Sequence, residues 1–174
     1  MSSSAYPLLK SFGEINFRVF DAIDGIVVDS SKLQRRLLAL YAARPKSVFA
    51  IFLVRDYRAV THSKMKRGAT LEQGAREWVK RLDEMKVAAR IVPKYMWIRY
   101  EDLCTKTELV MRDLCSAIGI DFTPLVLERS TDNHFLGGSP SRSGNRKVVL
   151  DHGYKDAFSS EQTRIMDRIA GNRL

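Results

Sequence analysis

Residues 51–63 read IFLVRDYRAVTHS: an apolar run stops at Arg55-Asp56, and a polar, helix-compatible stretch follows with Ser63 eight places after Arg55. These residue types suit an anion. Arginine presents a planar fork that is always charged, and the first turn of a helix presents unpaired N–H groups. Arg55 at a strand end and Ser63 on the next helix would grip one phosphate from two sides. The competing reading pairs Arg55 with Asp56, Glu101 or Asp102 and leaves Ser63 as an ordinary exposed helix residue. Two further polar clusters, Asp29–Lys32 and Arg99–Asp102, also follow apolar runs.

The elements that must position these groups follow from periodicity. Leu8, Phe12, Ile15 and Val19 mark an amphipathic N-terminal helix. Ile26–Val28 reads as a short buried strand, followed by a loop and a helix carrying Leu33, Leu37 and Leu40 that stops before Pro45. Ser47–Val54 reads as a second strand, apolar on both faces as central parallel strands are. A helix from Tyr57 to about Met65 follows. Thr70 with Gln73 then forms a capping box before a long helix with the stripe Leu71, Ala75, Trp78, Leu82, Met85 and Ala89. Tyr95–Tyr100 is the third strand, and Thr105 with Glu108 is a second capping box for a helix ended by Gly119. Ser159 with Gln162 caps the last helix. The alternation predicts an α/β domain of three layers, a mostly parallel sheet flanked by helices. Residues 125–157 lack periodicity and form a long basic loop region with Arg129, Arg142, Arg146 and Lys147. Trp78, Met85 and Trp97 fall on inward positions and read as core.

The chain has 174 residues, enough for one domain with a sizeable core, and a net charge of +9 that favours anionic partners. No apolar run reaches membrane-span length, and the first residues do not read as a secretory signal. Cys104 and Cys115 have neither disulfide-framework nor CxxC spacing, which points to reduced thiols and a cytoplasmic location. No His/Cys cluster has metal-ligand spacing, and no nucleic-acid-binding motif accompanies the charge.

LVRDYRAVTHS resembles the 3′-phosphate-binding segment of the sulfotransferases, L-V-R-D-P-R with a serine eight residues after the first arginine; Tyr57 stands where proline is usual. VVDSSK (27–32) resembles the strand and loop that precede this segment in bacterial-type and carbohydrate members, and IRYEDL (98–103) resembles their later R-Y-E-D-L signature. The stretch with His134, Gly137-Gly138 and Ser139-Pro140-Ser141-Arg142 is similar to the family's H-x-x-G-G-N-P-x-R element, with Ser139 in place of asparagine. Four motifs occur in the family's order, across residues 20–170 or so.

The resemblance implies a P-loop nucleotide-kinase-like fold over 1–174 and transfer of a sulfuryl group from 3′-phosphoadenosine 5′-phosphosulfate (PAPS) to a hydroxyl or amine acceptor, carbohydrates among them, without a metal. It implies that Arg55 and Ser63 hold the 3′-phosphate and that Tyr100 packs near the adenine. Arg142 would add charge to the nucleotide, and Lys32 would stabilise the leaving oxygen. Asp29, His62 and His134 are its candidates for the general base. The family's 5′-phosphosulfate loop, a G-x-x-R-S-G-T-like turn, has no counterpart before Val27, where only Gly13 and Gly25 occur. The expectation is therefore a chain matching the C-terminal two-thirds or so of the family's domain. Its alternative role is a catalytically inactive, truncated nucleotide- or glycan-binding protein. A longer form with an N-terminal anchor would act in the secretory-pathway lumen.

Overall fold

A computed structural model describes residues 5–127, 149–171 and 173. The elements, in order, are α1 (Ala5–Phe20), α2 (Gln34–Ala43), β1 (Ala50–Val54), α3 (Tyr57–Met65), α4 (Leu71–Ile91), β2 (Tyr95–Arg99), α5 (Tyr100–Thr105), α6 (Thr107–Ile118) and α7 (Ser160–Ala170), with 3-10 turns at Pro45–Ser47 and Pro124–Leu127. β1 and β2 form a small parallel sheet, joined through α3 and α4 as parallel neighbours require. The class is α/β. The chain divides into two compact units, residues 1–52 with 79–96, and 53–78 with 97–174.

The first unit is organised by apolar packing. Phe17, Leu40, Val48, Ala50, Phe52, Ala88 and Val92 form its core. Gly13 allows α1 to lie close on α2, since a Cβ there would collide with the Ala39 carbonyl and the Ala43 methyl. Arg44 stacks over Phe17 at 4.5 Å and pairs with Asp21 at 2.6 Å.

Three expectations change here. α1 forms, but its stripe of Leu8, Phe12, Ile15 and Val19 faces solvent, with Leu8 75% exposed; Gly13 and Phe17 are the residues it buries. Periodicity shows that a helix has an apolar face, and only the packing shows which face is covered. Ile26–Val28 is not a strand: the segment is coil, with Ile26 and Val28 exposed. A β-branched run needs a neighbour for its backbone N–H and C=O groups, and among the described residues none pairs with it. β1 buries alternate residues, leaving Ile51 and Leu53 exposed, so it is covered on one face rather than two.

The second unit buries Val54, Ala59, Thr61, Ala75, Trp78, Ile98, Cys115 and Met166. Its helix ends are specified by side chains. Asp56 caps α3, accepting from the Arg58 N–H at 2.8 Å. Thr70 and Gln73 bond reciprocally at the start of α4, and Ser159 with Gln162 does the same for α7. Gly119 closes α6 with φ near +80°, a conformation that favours glycine. The capping box expected from Thr105 and Glu108 does not form. The Thr105 hydroxyl donates back to the Glu101 carbonyl, and Glu108 pairs with Arg112, because the short α5 intervenes. Trp97, expected in the core, is 38% exposed.

Candidate functional site

The best-defined polar constellation lies in the second unit, at the turn between β1 and α3. β1 ends at Val54, Asp56 caps α3, and Arg55 is the residue between them. Two anchors hold the turn. The buried Trp78 indole N–H donates to the Arg55 carbonyl at 2.9 Å, and the Glu101 carboxylate accepts from the Asp56 N–H at 3.0 Å. Asp56 is thus committed in several directions: to the Arg58 backbone, to the Arg58 guanidinium at 2.7 and 3.1 Å, and to the Tyr154 hydroxyl at 3.3 Å. Burial alone would raise its pKa, but the bonds from Arg58 outweigh burial and hold the carboxyl below its ordinary value. Arg58 in turn is held more firmly protonated, chiefly by the bond to Asp56.

With Asp56 so engaged, the Arg55 side chain does not pair with it, nor with Glu101 or with Asp102, which lies 3.5 Å from Lys106. Its guanidinium lies over the Tyr100 ring, 4.5 Å from the centroid, and its Nη2 reaches the Asp151 carboxylate at 3.2 Å and the Asp151 carbonyl at 3.3 Å. Its Nε is buried without a partner among the described residues. A buried N–H donor left open on an anchored arginine fits an anionic ligand. Arg55 and Tyr100 are therefore brought together. Ser63 sits in the second turn of α3, partly buried, and no hydrogen bond joins it to Arg55. His62, on the same helix, meets the Phe158 ring edge-on at 5.9 Å.

Tyr57 opens α3. Its hydroxyl donates to Asp167 on α7, and its ring meets Trp78 edge-on at 5.6 Å. Burial first, and the Asp167 carboxylate second, push the phenol up to about 12. A proline would satisfy the backbone at this position equally well, so the tyrosine adds a tether to α7.

Asp29 and Lys32 belong to the first unit. Asp29 accepts from the Ser31 N–H at 2.8 Å and forms an ion pair with Arg36. Burial would raise its pKa, but Arg36 and the serine bonds hold it below the ordinary value. Lys32 is exposed and has φ near +61°, the one left-handed non-glycine among the described residues. Such a conformation costs about 1–2 kcal/mol for a residue with a Cβ. His134 and Arg142 lie outside the described residues. Among the described residues no group of three His, Cys, Asp or Glu could hold a metal ion, and no helix is long and apolar enough to cross a membrane.

Sequence reasoning missed Asp151, Trp78 as an anchor, and Tyr154. The D-x-G pattern of Asp151-His152-Gly153 is the one local signal among these: the Asp151 carboxylate accepts from the Gly153 N–H at 2.9 Å, an Asx turn.

A family model described as the sulfotransferase family matches residues 25–124, more than half of the chain. Among solved structures, the sulfotransferase domain from the curacin biosynthetic pathway aligns with a TM-score of 0.55 at 20% identity, over 79% of this chain. The chain spans 58% of that domain's length. No curated protein matches significantly. The structural likeness shows the fold, and the family match carries the assignment: this chain belongs to the sulfotransferase family.

Proposed function

We propose that the chain binds PAPS through the turn at Arg55 and serves transfer of its sulfuryl group to a hydroxyl or amine acceptor, of which a carbohydrate is one candidate. The observation that carries this reading is Arg55 itself: a guanidinium anchored on an aromatic ring, with a buried open donor, in a segment that resembles the 3′-phosphate motif of the sulfotransferases. Ser63 would add a hydroxyl from α3, and Arg142 a second cation. Tyr100 already carries the guanidinium on its ring, and its hydroxyl donates to the Val149 carbonyl at 3.3 Å. It would border the adenine while keeping Arg55 oriented.

In the transfer, the acceptor oxygen or nitrogen forms a bond to sulfur as the bridging S–O bond breaks. The nucleotide 3′,5′-bisphosphate (PAP) departs with that oxygen, and the acceptor proton goes to a base. Lys32 would meet the charge developing on the leaving oxygen. Its left-handed backbone supports this role, since a strained residue at a polar loop is a recurring feature of functional sites. Of the candidate bases, Asp29 is neutralised by Arg36 and is a weak proton acceptor, which favours a histidine, His134 or His62.

The decisive measurement is calorimetric titration of PAP into the wild type and an Arg55→Ala variant. Affinity should drop by about tenfold or more, the effect of losing a charge-assisted bond to phosphate. Equal binding by the two proteins would refute the reading. A second reading is nucleotide binding without transfer. It is favoured by the exposed coil at Ile26–Val28, which gives Lys32 no strand end to stand on. Transfer of labelled sulfate from PAPS by the isolated chain would eliminate it.

A further inference from the structure

Segment 149–153 is held by Arg55 and Tyr100 and closed by a turn of its own. The Tyr100 hydroxyl donates to the Val149 carbonyl at 3.3 Å, Arg55 Nη2 holds Asp151 at 3.2 Å, and the Asp151 carboxylate closes its own turn on the Gly153 N–H. Closer acids were available to Arg55 in the sequence, but each has another partner: Asp56 has Arg58, Glu101 has the Asp56 N–H, and Asp102 has Lys106. The group that meets the guanidinium instead comes from 96 residues downstream. Carboxylate and phosphate oxygens use the same guanidinium donors, so the two compete for one fork.

Exposure decides how strong this competitor is. The Asp151 side chain is 64% exposed against 24% for Arg55, and its carboxylate is reached by Nη2 alone. An ion pair so exposed is weak and screened, and therefore displaceable. The fork is not saturated, since Nε remains without a partner.

We propose that Asp151 is an internal stand-in for the nucleotide phosphate: its carboxylate occupies Arg55 in the ligand-free protein, and nucleotide binding displaces segment 149–153 from the arginine. The contact is autoinhibitory and sets the nucleotide concentration at which the site fills. This rests on the reading of Arg55 as the 3′-phosphate ligand.

The test is titration of PAP into the wild type, Asp151→Asn and Arg55→Ala. Asparagine keeps the side-chain oxygen that accepts from Gly153 while removing the charge that competes for Arg55. The dissociation constant of Asp151→Asn should fall about threefold to fivefold, the range set by an exposed ion pair. Binding that is unchanged or weaker in Asp151→Asn, with Arg55→Ala still abolishing it, overturns the displacement and leaves the Arg55 assignment standing. Failure of all three proteins to bind overturns both. A second readout needs no variant: saturating PAP should increase hydrogen–deuterium exchange at residues 149–153 of the wild type. Increased protection there refutes the displacement.

Discussion

Two polar segments were expected to serve one reaction, and they are built differently. The Arg55–Arg58 turn is continuous with β1 and α3, capped by its own aspartate and anchored by Trp78 and Glu101. The Asp29–Lys32 segment is exposed coil, tied down by a single ion pair and an Asx turn, with one residue in a left-handed conformation. Binding of a fixed phosphate needs a guanidinium whose position does not vary, and an anchored strand end supplies it. A lysine that meets a leaving group has to be present only at the moment of transfer, and a loop serves for that. Under the proposed function, the contrast would separate recognition, placed at an anchored strand end, from chemistry, placed on a loop with fewer contacts.

The largest expected effect breaks the rigid side. Trp78→Ala removes a buried indole and its bond to the Arg55 carbonyl, and should cost about 3–5 kcal/mol in chemical denaturation. PAP affinity should fall with it. Retained affinity in a folded variant would show that the turn does not depend on its anchor.

Asp56→Ala is next, with a loss of about 2 kcal/mol from removing the cap of α3. Its pH dependence has a definite sign. The folded carboxyl sits below its ordinary value, so its contribution is fully present above the unfolded pKa, about 4, and is lost as pH falls through the folded one. The gap in stability between wild type and variant should therefore narrow below about pH 4 in urea titrations. A gap constant down to the lowest pH would show that the ionised carboxylate is not what stabilises the turn.

The smallest effect sharpens the loop side. Lys32→Gly relieves the left-handed backbone and should raise the melting free energy by up to about 1 kcal/mol, while transfer of sulfate falls. A variant both more stable and inactive would mark Lys32 as strained for function. Loss of stability would mean that the lysine side chain holds the loop.

Much of the local structure was legible in the sequence. The bounds of α3, the boxes at Thr70 with Gln73 and Ser159 with Gln162, and the stop at Gly119 all depend on residues within a few positions of each other. Such signals are complete in a short window, since the groups that satisfy a helix end are its own neighbours. The family motifs were equally readable, because Arg55, Ser63 and the later Tyr100-Glu101-Asp102 keep fixed spacings to the elements that carry them. The strand expected at Ile26–Val28 does not form, and the apolar stripe of the amphipathic α1 is left uncovered, for one shared reason. Apolar pattern states a capacity for burial, while burial itself requires a partner surface.

By itself, then, the sequence determined where α3, α4 and α7 begin and where α6 ends, which family the chain belongs to, and that Arg55 would stand between a strand and a helix. Only the tertiary structure decided what Arg55 touches. Its carboxylate partner lies 96 residues away, and Tyr57 meets Asp167 across 110. Neither pairing has a sequence spacing to betray it. Ion pairs and hydrogen bonds depend on distances of a few ångströms in space, and over such separations the path of the chain sets those distances.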